Sequence, residues 1–333
     1  MMRLPRFEVL FPATVEEACS LLTQHGPEAR IMGGGTEILA AAKLRNIQPT
    51  HIISLKGIDS LRGITYQKEE GLRIGAMTSL HHIRENSLIR EHFRALTQAA
   101  AAVGSPQIQR MGTLGGNLCL NTRCYFYNQS SGWRRHREVC LKMGGDVCHV
   151  VAKGGKCYAV SSADTPPVLI ALNAKLRLVS SRGARWISVR DFYTGDGKQP
   201  TTLEQNEILT EIRLPPVTEQ VSIYLKYRIR KAIDFPLVAV AVGLLFVDRG
   251  DKCDQVKIVL NAVGPAPIEV LDVEPLLKNS IFTDEGSKKA AEMAVRAARP
   301  VANTAATPTY RRKMAGVLTL KALTALKKGA SFQ

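Results

Sequence analysis

Two glycine-rich segments contain the first residues whose types and spacing could do chemistry. Met32-Gly33-Gly34-Gly35-Thr36-Glu37 lies between a predicted strand and a predicted helix, and Gly112-Thr113-Leu114-Gly115-Gly116-Asn117 is a second such loop. Glycines let backbone N–H groups approach an anion closely, and a following helix adds its dipole. Because Ile38 occupies the last glycine position, the first loop is not a dinucleotide fingerprint. Together the loops predict a clamp for one long diphosphate ligand, with plain tight turns as the alternative.

Further polar groups follow in Ser161-Ser162-Ala163-Asp164. FAD has the long diphosphate shape that two such loops would hold, and these hydroxyls and the carboxylate suit its ribityl or ribose hydroxyls. The alternative for Asp164 is the N-cap of a helix that begins before Pro166 and Pro167, and both roles are compatible.

Four cysteines, Cys124, Cys140, Cys148 and Cys157, lie close together in polar, basic sequence with little periodicity. Binding of a metal centre would supply the free energy that orders such a segment. Structural zinc sites usually contain a tight C-x2–4-C pair, which is missing here, whereas an iron–sulfur cluster accepts widely separated ligands. The residues alone therefore leave an iron–sulfur cluster, zinc and unliganded thiols open. Nearby positive charge that would offset the thiolates comes from Arg134, Arg135, Arg137 and Lys142.

The composition is that of an ordinary globular protein. The 333 residues are 45% hydrophobic and 22% charged, which excludes general disorder and fibrous repeats. An odd number of cysteines and no leader-like amino terminus predict reduced thiols and a cytoplasmic location. The longest apolar run, Leu237 to Val247, is too short to cross a bilayer, so no membrane partner is expected. We expect Cys19 and Cys253, which are isolated, to be small core residues.

Most of the formal net charge of +16 lies in two stretches. Residues 118–160 hold seven Lys and Arg against two acidic residues, and residues 286–333 hold ten against one. Such local basic surfaces suit the docking of acidic partners, with simply solvated faces as the alternative. A zinc-stapled nucleic-acid binder is the remote alternative, and it predicts salt-dependent binding without a flavin.

Periodicity divides the chain into three units. Residues 1–56 alternate strands and helices, with a capping box at Thr14 and Glu17, and a second α/β unit follows to the linker Pro215-Pro216. In the second unit, Thr78 is predicted to cap a helix, and a helix is predicted over Glu91 to Val103. The third unit is predicted to contain strands at Val238–Val247 and Val256–Ala262, joined by the loop Asp248 to Asp254. Helices over about 286–298 and 309–328 close the chain.

The runs MGGGTEIL, IGAMTSL, GTLGGNL, SSADTPPVLIAL and YRRKMAGVLTLKAL resemble the FAD-binding medium subunits of the xanthine dehydrogenase family of molybdenum hydroxylases. The resemblance covers nearly the whole chain. It implies an α+β fold, with a two-part α/β FAD-binding domain of the vanillyl-alcohol-oxidase/PCMH type over residues 1–216, in subdomains of about 1–56 and 57–216. A small antiparallel sheet with helices would form the carboxy-terminal domain, residues 217–333.

The chain departs from most relatives between Asn117 and Asp164, which are 47 positions apart here and separated by only a short segment in the family. The resulting insertion, about 118–160, contains the four clustered cysteines and is similar to that of the β subunits of 4-hydroxybenzoyl-CoA reductases. That resemblance implies a 4Fe-4S cluster ligated by Cys124, Cys140, Cys148 and Cys157, with Cys119 as the one substitute.

The resemblance also assigns FAD contacts by motif. Residues 31–38 would hold the diphosphate together with residues 112–116, and Asp164 would bind the ribityl or ribose region. Leu209 and Lys226 match family positions near the flavin ring. Lys226 could stabilise the reduced flavin, with a surface lysine as the alternative. Val103 stands where many relatives have an aromatic residue that covers the flavin. The full set is Ile31, Met32, Gly33, Gly34, Gly35, Thr36, Glu37, Ile38, Ala76, Gly112, Thr113, Gly115, Gly116, Asn117, Asp164, Leu209 and Lys226.

The implied function is electron transfer, and no catalytic residue is predicted on this chain. Reduced ferredoxin, attracted by the basic insertion, would supply electrons through the 4Fe-4S cluster and FAD. The electrons would then pass to the 2Fe-2S clusters of a small subunit and to a large molybdopterin subunit, and such enzymes would form a dimer of heterotrimers. On the large subunit, 4-hydroxybenzoyl-CoA would be converted to benzoyl-CoA, a step of aromatic compound degradation. The alternative is a medium subunit of another hydroxylase of the family.

Overall fold

A three-stranded parallel sheet begins the fold. The computed structural model describes residues 3–217, 220–247, 252–277, 283–302 and 305–330. The sheet has the order β1-β3-β2, and the elements of this part are β1 (Glu8–Leu10), α1 (Val15–His25), β2 (Ala29–Met32), α2 (Ile38–Lys43) and β3 (His51–Ser54). The predicted cap of α1 is confirmed, because the Thr14 hydroxyl accepts a hydrogen bond from the Glu17 N–H at 3.1 Å. The Glu17 carboxylate reaches the N–H of Ala13 instead of that of Thr14.

A five-stranded antiparallel sheet follows, with the order β4-β5-β8-β6-β7. Its strands are β4 (Ile64–Gln67), β5 (Gly71–Gly75), β6 (Lys175–Ser180), β7 (Gly183–Ser188) and β8 (Ile208–Leu214). Between β5 and β6 run α3 (Leu80–Glu85), α4 (Ser87–His92), α5 (Arg94–Ala102), α6 (Pro106–Met111), α7 (Leu114–Leu118), α8 (Ser131–Arg134) and α9 (Thr165–Ala171).

Two sequence predictions fail in this helical region. The N-cap of α3 is Ser79, whose hydroxyl accepts from the His82 N–H, while the Thr78 hydroxyl donates to the carbonyl of Gly63. The helix predicted over 91–103 is present as α5, but its predicted start is wrong: it begins at Arg94, because the chain leaves the helical conformation at Phe93 and buries that ring in the core. Burial of one large aromatic side chain outweighs the hydrogen bonds of an uninterrupted helix.

The insertion has little regular structure apart from α8 and one short turn at Leu141–Met143. Its neck is an antiparallel bridge in which Arg123 and Val160 exchange two backbone hydrogen bonds, both of 2.8 Å. The residues that contain the four clustered cysteines therefore leave and return to the fold at one point.

The third sheet is antiparallel, with the order β12-β11-β10-β9. Its elements, with the helices that follow, are β9 (Gln220–Tyr227), β10 (Val238–Val247), β11 (Lys252–Asn261), β12 (Ile268–Glu269), α10 (Val273–Leu277), α11 (Asp284–Ala297) and α12 (Pro308–Ala330). The predicted α+β fold is confirmed. Strand β11 begins before the predicted Val256, and residues 248–251 of the predicted loop lie outside the described residues.

The third sheet is covered on both faces. Along β10, Val238, Val240 and Val242 pack into a core with α11 and α12, whereas Ala239 and Ala241 pack into the core of the preceding unit. This alternation follows from the two-residue period of a strand. Among the described residues, no helix has the length and apolar character needed to cross a membrane.

Candidate functional site

A cleft of about 430 Å³ lies where the two glycine loops meet. A side chain at Gly34 would be impossible without a shift, because its Cβ would lie 1.7 Å from the carbonyl oxygen of Met111. At Gly115, a Cβ would lie 2.8 Å from that of Ala76 at the end of β5. The glycines therefore allow the two loops to touch each other and the sheet, which exposes their backbone to the cleft.

Most of the predicted FAD contacts line this cleft. They are Ile31, Gly33, Gly34, Gly35, Thr36, Glu37, Ile38, Ala76, Gly112, Thr113, Gly115, Gly116, Asn117, Asp164 and Leu209. Met32 and Lys226 are not in the lining; Met32 packs beside Gly35. Val103, which replaces the expected aromatic residue, does line the cleft.

Asp164 is a buried charged group in the wall of the cleft and has two side-chain partners. The Tyr224 hydroxyl donates to its carboxylate at 2.6 Å, and the Lys226 ammonium lies 2.9 Å from the same oxygen. The Asp164 and Lys226 side chains are each only 4% exposed, so the surface alternative for Lys226 is wrong. Burial raises the pKa of Asp164 and lowers that of Lys226, while the charge of each partner opposes the shift. The second ammonium bond, to the carbonyl of Ala102 at 2.9 Å, fixes Lys226 beside Val103.

Asn117, and not the side chain of Asp164, makes the capping hydrogen bonds of helix α9. Its side-chain oxygen accepts hydrogen bonds from the N–H of Thr165 at 3.1 Å and from the Thr165 hydroxyl at 2.7 Å. The Asp164 side chain makes no capping bond, which leaves its carboxylate to Tyr224 and Lys226. Asp164 therefore occupies the N-cap position of α9, as the alternative from the sequence predicted, but the capping hydrogen bond comes from the side chain of Asn117.

The cleft fits a dinucleotide by its chemistry. The glycine loops offer backbone donors, and the buried Ser162 hydroxyl, which lines the cleft, has no hydrogen-bond partner within the described residues. A buried hydroxyl without a partner costs free energy that a ligand's polar atom would recover. The Ser162 hydroxyl is therefore free to form a hydrogen bond with a polar group of a bound dinucleotide, such as a ribityl hydroxyl or a phosphate oxygen.

Several residues in or beside the cleft are not evident from sequence patterns. Arg123 contacts both carboxylate oxygens of Glu37 at 3.0 and 3.2 Å, and its guanidinium lies 4.7 Å from the centre of the Phe235 ring. Since Glu37 lies in the first glycine loop, this arginine offsets the negative charge that would face a diphosphate. Ile233 and Phe235, from the β9–β10 connection, also line the cleft, and no local motif marks either of them.

The four clustered cysteines form one electrostatic neighbourhood around Cys124. Its thiol interacts electrostatically with those of Cys140 and Cys148, and Cys157 interacts with Cys124. Within the described ranges, no three His, Cys, Asp or Glu side chains are close enough to share one metal ion.

Backbone N–H groups donate hydrogen bonds to the sulfurs of Cys124, Cys148 and Cys157. The N–H groups of Phe126 and Tyr127 face the sulfur of Cys124, and that of Val151 lies 3.4 Å from the sulfur of Cys148. The N–H of Ala159 faces Cys157 in the same way. Hydrogen bonds to cysteine sulfurs stabilise thiolates and tune iron–sulfur centres, so the residues present fit such a group.

The other cysteines lie elsewhere. Cys119 lines the flavin cleft, where burial raises the pKa of its thiol to about 12 and Tyr193 is its electrostatic neighbour. Cys19 and Cys253 are buried in two hydrophobic cores, as predicted.

The arginines of the insertion have different environments. Arg134 donates hydrogen bonds to the carbonyls of Leu44, Arg45, Tyr127 and Gln129, and so ties the insertion to the chain after α2. In contrast, Arg135 and Arg137 are exposed, and Arg137 stacks 4.6 Å from the centre of the Trp133 ring. Among the described arginines of the insertion, Arg135 and Arg137 are the exposed ones, so an approaching partner could contact them.

Comparison with known proteins shows which protein family the chain resembles along its whole length. Residues 5–217 match the FAD-binding domain of molybdopterin dehydrogenases, and residues 223–326 match the carboxy-terminal domain of carbon monoxide dehydrogenase flavoproteins. A xanthine dehydrogenase FAD-binding subunit of Escherichia coli O157:H7 is 26% identical over 93% of this chain and 92% of its own. The carbon monoxide dehydrogenase medium chain of Hydrogenophaga pseudoflava is 28% identical over 96% and 97%. The solved carbon monoxide dehydrogenase of that organism, in a form lacking the Mo-pyranopterin moiety, superposes with a TM-score of 0.80 at 27% identity, covering 97% of this chain and 98% of its own.

Proposed function

Since the chain belongs to the FAD-binding medium subunits of the xanthine dehydrogenase and carbon monoxide dehydrogenase family, we propose that it is the electron-transferring FAD subunit of a 4-hydroxybenzoyl-CoA reductase. One observation supports the finer assignment: Cys124, Cys140, Cys148 and Cys157 share one electrostatic neighbourhood in the insertion, and backbone N–H groups donate to the sulfurs of Cys124, Cys148 and Cys157. The remote nucleic-acid alternative predicts no flavin, whereas the matched domain is an FAD-binding one.

The proposal gives each part of the chain one task. The glycine loops, Ser162 and Asp164 hold FAD, with Leu209 and Lys226 toward its ring. Cys124, Cys140, Cys148 and Cys157 hold a 4Fe-4S cluster. When bound, the cluster would exchange single electrons and the flavin one or two, which suits a relay between unlike partners. We further propose domains of residues 1–216 and 217–333, and a cytoplasmic location where the thiols stay reduced.

The partners follow from the same proposal. Ferredoxin supplies electrons, and a small 2Fe-2S subunit and a large molybdopterin subunit receive them in a dimer of heterotrimers. On the large subunit, two electrons and two protons replace the phenolic hydroxyl of 4-hydroxybenzoyl-CoA with hydrogen and release water. The chain's own residues contribute by binding and positioning the electron carriers and not by contacting that substrate.

Metal and flavin analysis tests the cofactor assignment. The full chain, purified without oxygen, is expected to hold about four irons and four sulfides with one FAD. The variant Cys140→Ala should lose iron and keep the flavin, while Cys119→Ala, the matched control outside the cysteine neighbourhood, should keep its iron. Flavin accompanied by zinc, or by no metal after anaerobic reconstitution, contradicts the assignment.

The donor is tested by charge reversal on the exposed face of the insertion. Arg135→Glu combined with Arg137→Glu should slow ferredoxin-driven flavin reduction about tenfold or more at low salt, because steering adds on the order of 10–10³ to association rates. The control carries the same charge change on α12, Arg312→Glu with Lys313→Glu. Equal rates for the insertion variant and wild type at low salt would rule out this docking face.

A second candidate is the medium subunit of another hydroxylase of the family, favoured by the names of the similar chains from xanthine and carbon monoxide dehydrogenases. The isolated complex separates the two. Reduction of 4-hydroxybenzoyl-CoA with reduced ferredoxin supports the reductase, whereas oxidation of xanthine or carbon monoxide without such reduction supports the other hydroxylase.

A further inference from the structure

Lys142 occupies an unusual place in the insertion. Two residues after Cys140, its side chain turns inward, and its ammonium donates to the side-chain oxygen of Asn121 at 2.7 Å. It also donates to the Thr122 hydroxyl and to the carbonyl of Gly197. The Tyr127 ring covers it, with 5.1 Å between the ammonium and the ring centre.

These contacts join the segments that carry the cysteines. Asn121 and Thr122 immediately precede the neck and Cys124, and Gly197 donates its N–H to the carbonyl of Cys157 at 2.8 Å. The Thr122 hydroxyl donates to the carbonyl of Gly197 at 2.7 Å, which closes the network. One ammonium therefore links the approach to Cys124, the turn after Cys140 and the backbone at Cys157.

The ionisable groups that interact with this ammonium are mainly cysteine thiols. Cys124, Cys140 and Cys157 all interact with it electrostatically, and Asp196 is the one carboxylate that does so. No carboxylate of the described residues lies within ion-pair distance of Lys142. By contrast, Arg123 of the insertion pairs with Glu37, and Arg134 is satisfied by backbone carbonyls. The ammonium thus faces thiols more than any fixed counter-ion.

We propose that Lys142 is the charge-compensating positioning residue of the cysteine centre, and that its ammonium raises the reduction potential of the cluster held there. This inference rests on the cluster assignment of the proposed function. One-electron reduction adds one negative charge to the thiolate-ligated centre, taken from a reduced one-electron carrier such as ferredoxin. A fixed positive charge nearby lowers the free energy of that more negative state.

The test compares midpoint potentials in the full chain. Wild type, Lys142→Met and Lys142→Arg are purified anaerobically, analysed for iron and sulfide, and titrated with dithionite and mediators while the spin signal of the reduced cluster is followed. Lys153→Met is the matched control, because Lys153 is an exposed lysine of the same insertion. In Lys142→Met the ratio of reduced to oxidised cluster at a given potential should fall about tenfold, equivalent to 59 mV for one electron. Lys142→Arg and Lys153→Met should stay near wild type.

Each outcome decides the matter. Loss of iron from Lys142→Met with retention in Lys142→Arg supports the proposal, since the charge is then needed to assemble the centre. An unchanged potential in iron-loaded Lys142→Met overturns it, as do equal shifts, or equal loss of iron, in the Met and Arg variants. If wild type itself holds no iron, the cluster assignment fails, and the iron analysis shows this before any potential is measured.

Discussion

Gly34 shows how a single residue can determine whether the cleft forms. Its missing side chain allows the first glycine loop to touch the backbone at Met111, where a Cβ would lie 1.7 Å from a carbonyl oxygen. Backbone cannot move aside as a flexible side chain can, so any substitution must separate the two loops.

We therefore expect Gly34→Ala to weaken FAD binding at least about tenfold and to destabilise the chain by about 1–3 kcal/mol, the usual range for overpacking. FAD content after gel filtration and a thermal unfolding curve measure both. Gly57→Ala is the control, since its Cβ would have an ordinary 3.6 Å contact. Normal flavin retention by Gly34→Ala would show that the loops do not clamp the ligand together.

The buried ion pair of Asp164 and Lys226 gives a second prediction. Lys226→Met leaves the Asp164 carboxylate buried with only the Tyr224 hydroxyl as a side-chain partner. Breaking such a pair costs about 3–5 kcal/mol, so the free energy of unfolding should fall by about that amount and FAD should dissociate more readily.

Denaturant titration with and without added FAD measures this change. Lys175→Met, at an exposed lysine on β6, should be close to neutral. The double variant Lys226→Met with Asp164→Asn should recover part of the loss, because it removes the unpaired charge. A full loss in the double variant would mean that packing, and not charge, determines the stability of this site.

At the scale of the element, the insertion depends on a few polar anchors and not on a hydrophobic core. The bridge between Arg123 and Val160 closes its neck, and Arg134 fastens α8 to carbonyls that include Leu44 and Arg45. Buried carbonyls that lose their donor are costly, so one side chain can hold a loop of this size.

Arg134→Met should accordingly open the insertion locally while leaving the flavin cleft intact. We expect proteinase K to cleave within residues 118–160 at least about five times faster than in wild type, with unchanged FAD content, because only local opening is affected. Arg135→Met, which removes an exposed neighbour, should be cut at the wild-type rate. Loss of FAD together with rapid cleavage would mean that the insertion and the cleft are one cooperative unit.

At the scale of the whole molecule, the third sheet belongs to two cores. Its strand β10 packs valines against α11 and α12, and alanines against the unit that contains α5 and α9. From β9, Tyr224 and Lys226 reach Asp164 in the wall of the flavin cleft. The carboxy-terminal part therefore completes the binding site as well as the fold.

A chain ending at residue 217 should then lose FAD and expose the apolar surface that this sheet covers. We expect flavin affinity to fall by about 100-fold or more, since the loss of two buried polar partners costs several kcal/mol. The control is the full chain with a protease site inserted after residue 217 and cleaved after folding, which should retain FAD because both parts stay packed. Equal flavin affinity in the truncated chain would contradict a shared site.

Residue types and their local spacing are enough to predict the class of ligand and the order of most elements. Glycine spacing predicts two loops near a diphosphate, and the clustered cysteines predict a metal centre with unliganded thiols as the alternative. The family resemblance implies both the insertion and the FAD-binding fold. These inferences depend on residue type and local period, which a linear pattern contains in full. The Thr14 cap succeeded for the same reason, because its partner is three residues away.

Contacts between groups that are distant in the sequence could not be predicted in this way, because they depend on the folded chain. Arg123 neutralises Glu37 from 86 positions away, and Lys142 reaches Gly197 across 55. The same reason explains the local failures: Phe93 leaves the helical conformation to fill a core, and Asn117 makes the capping hydrogen bonds of α9 in place of the Asp164 side chain. Such choices depend on packing in three dimensions, where burial and long-range polar contacts outweigh local propensity.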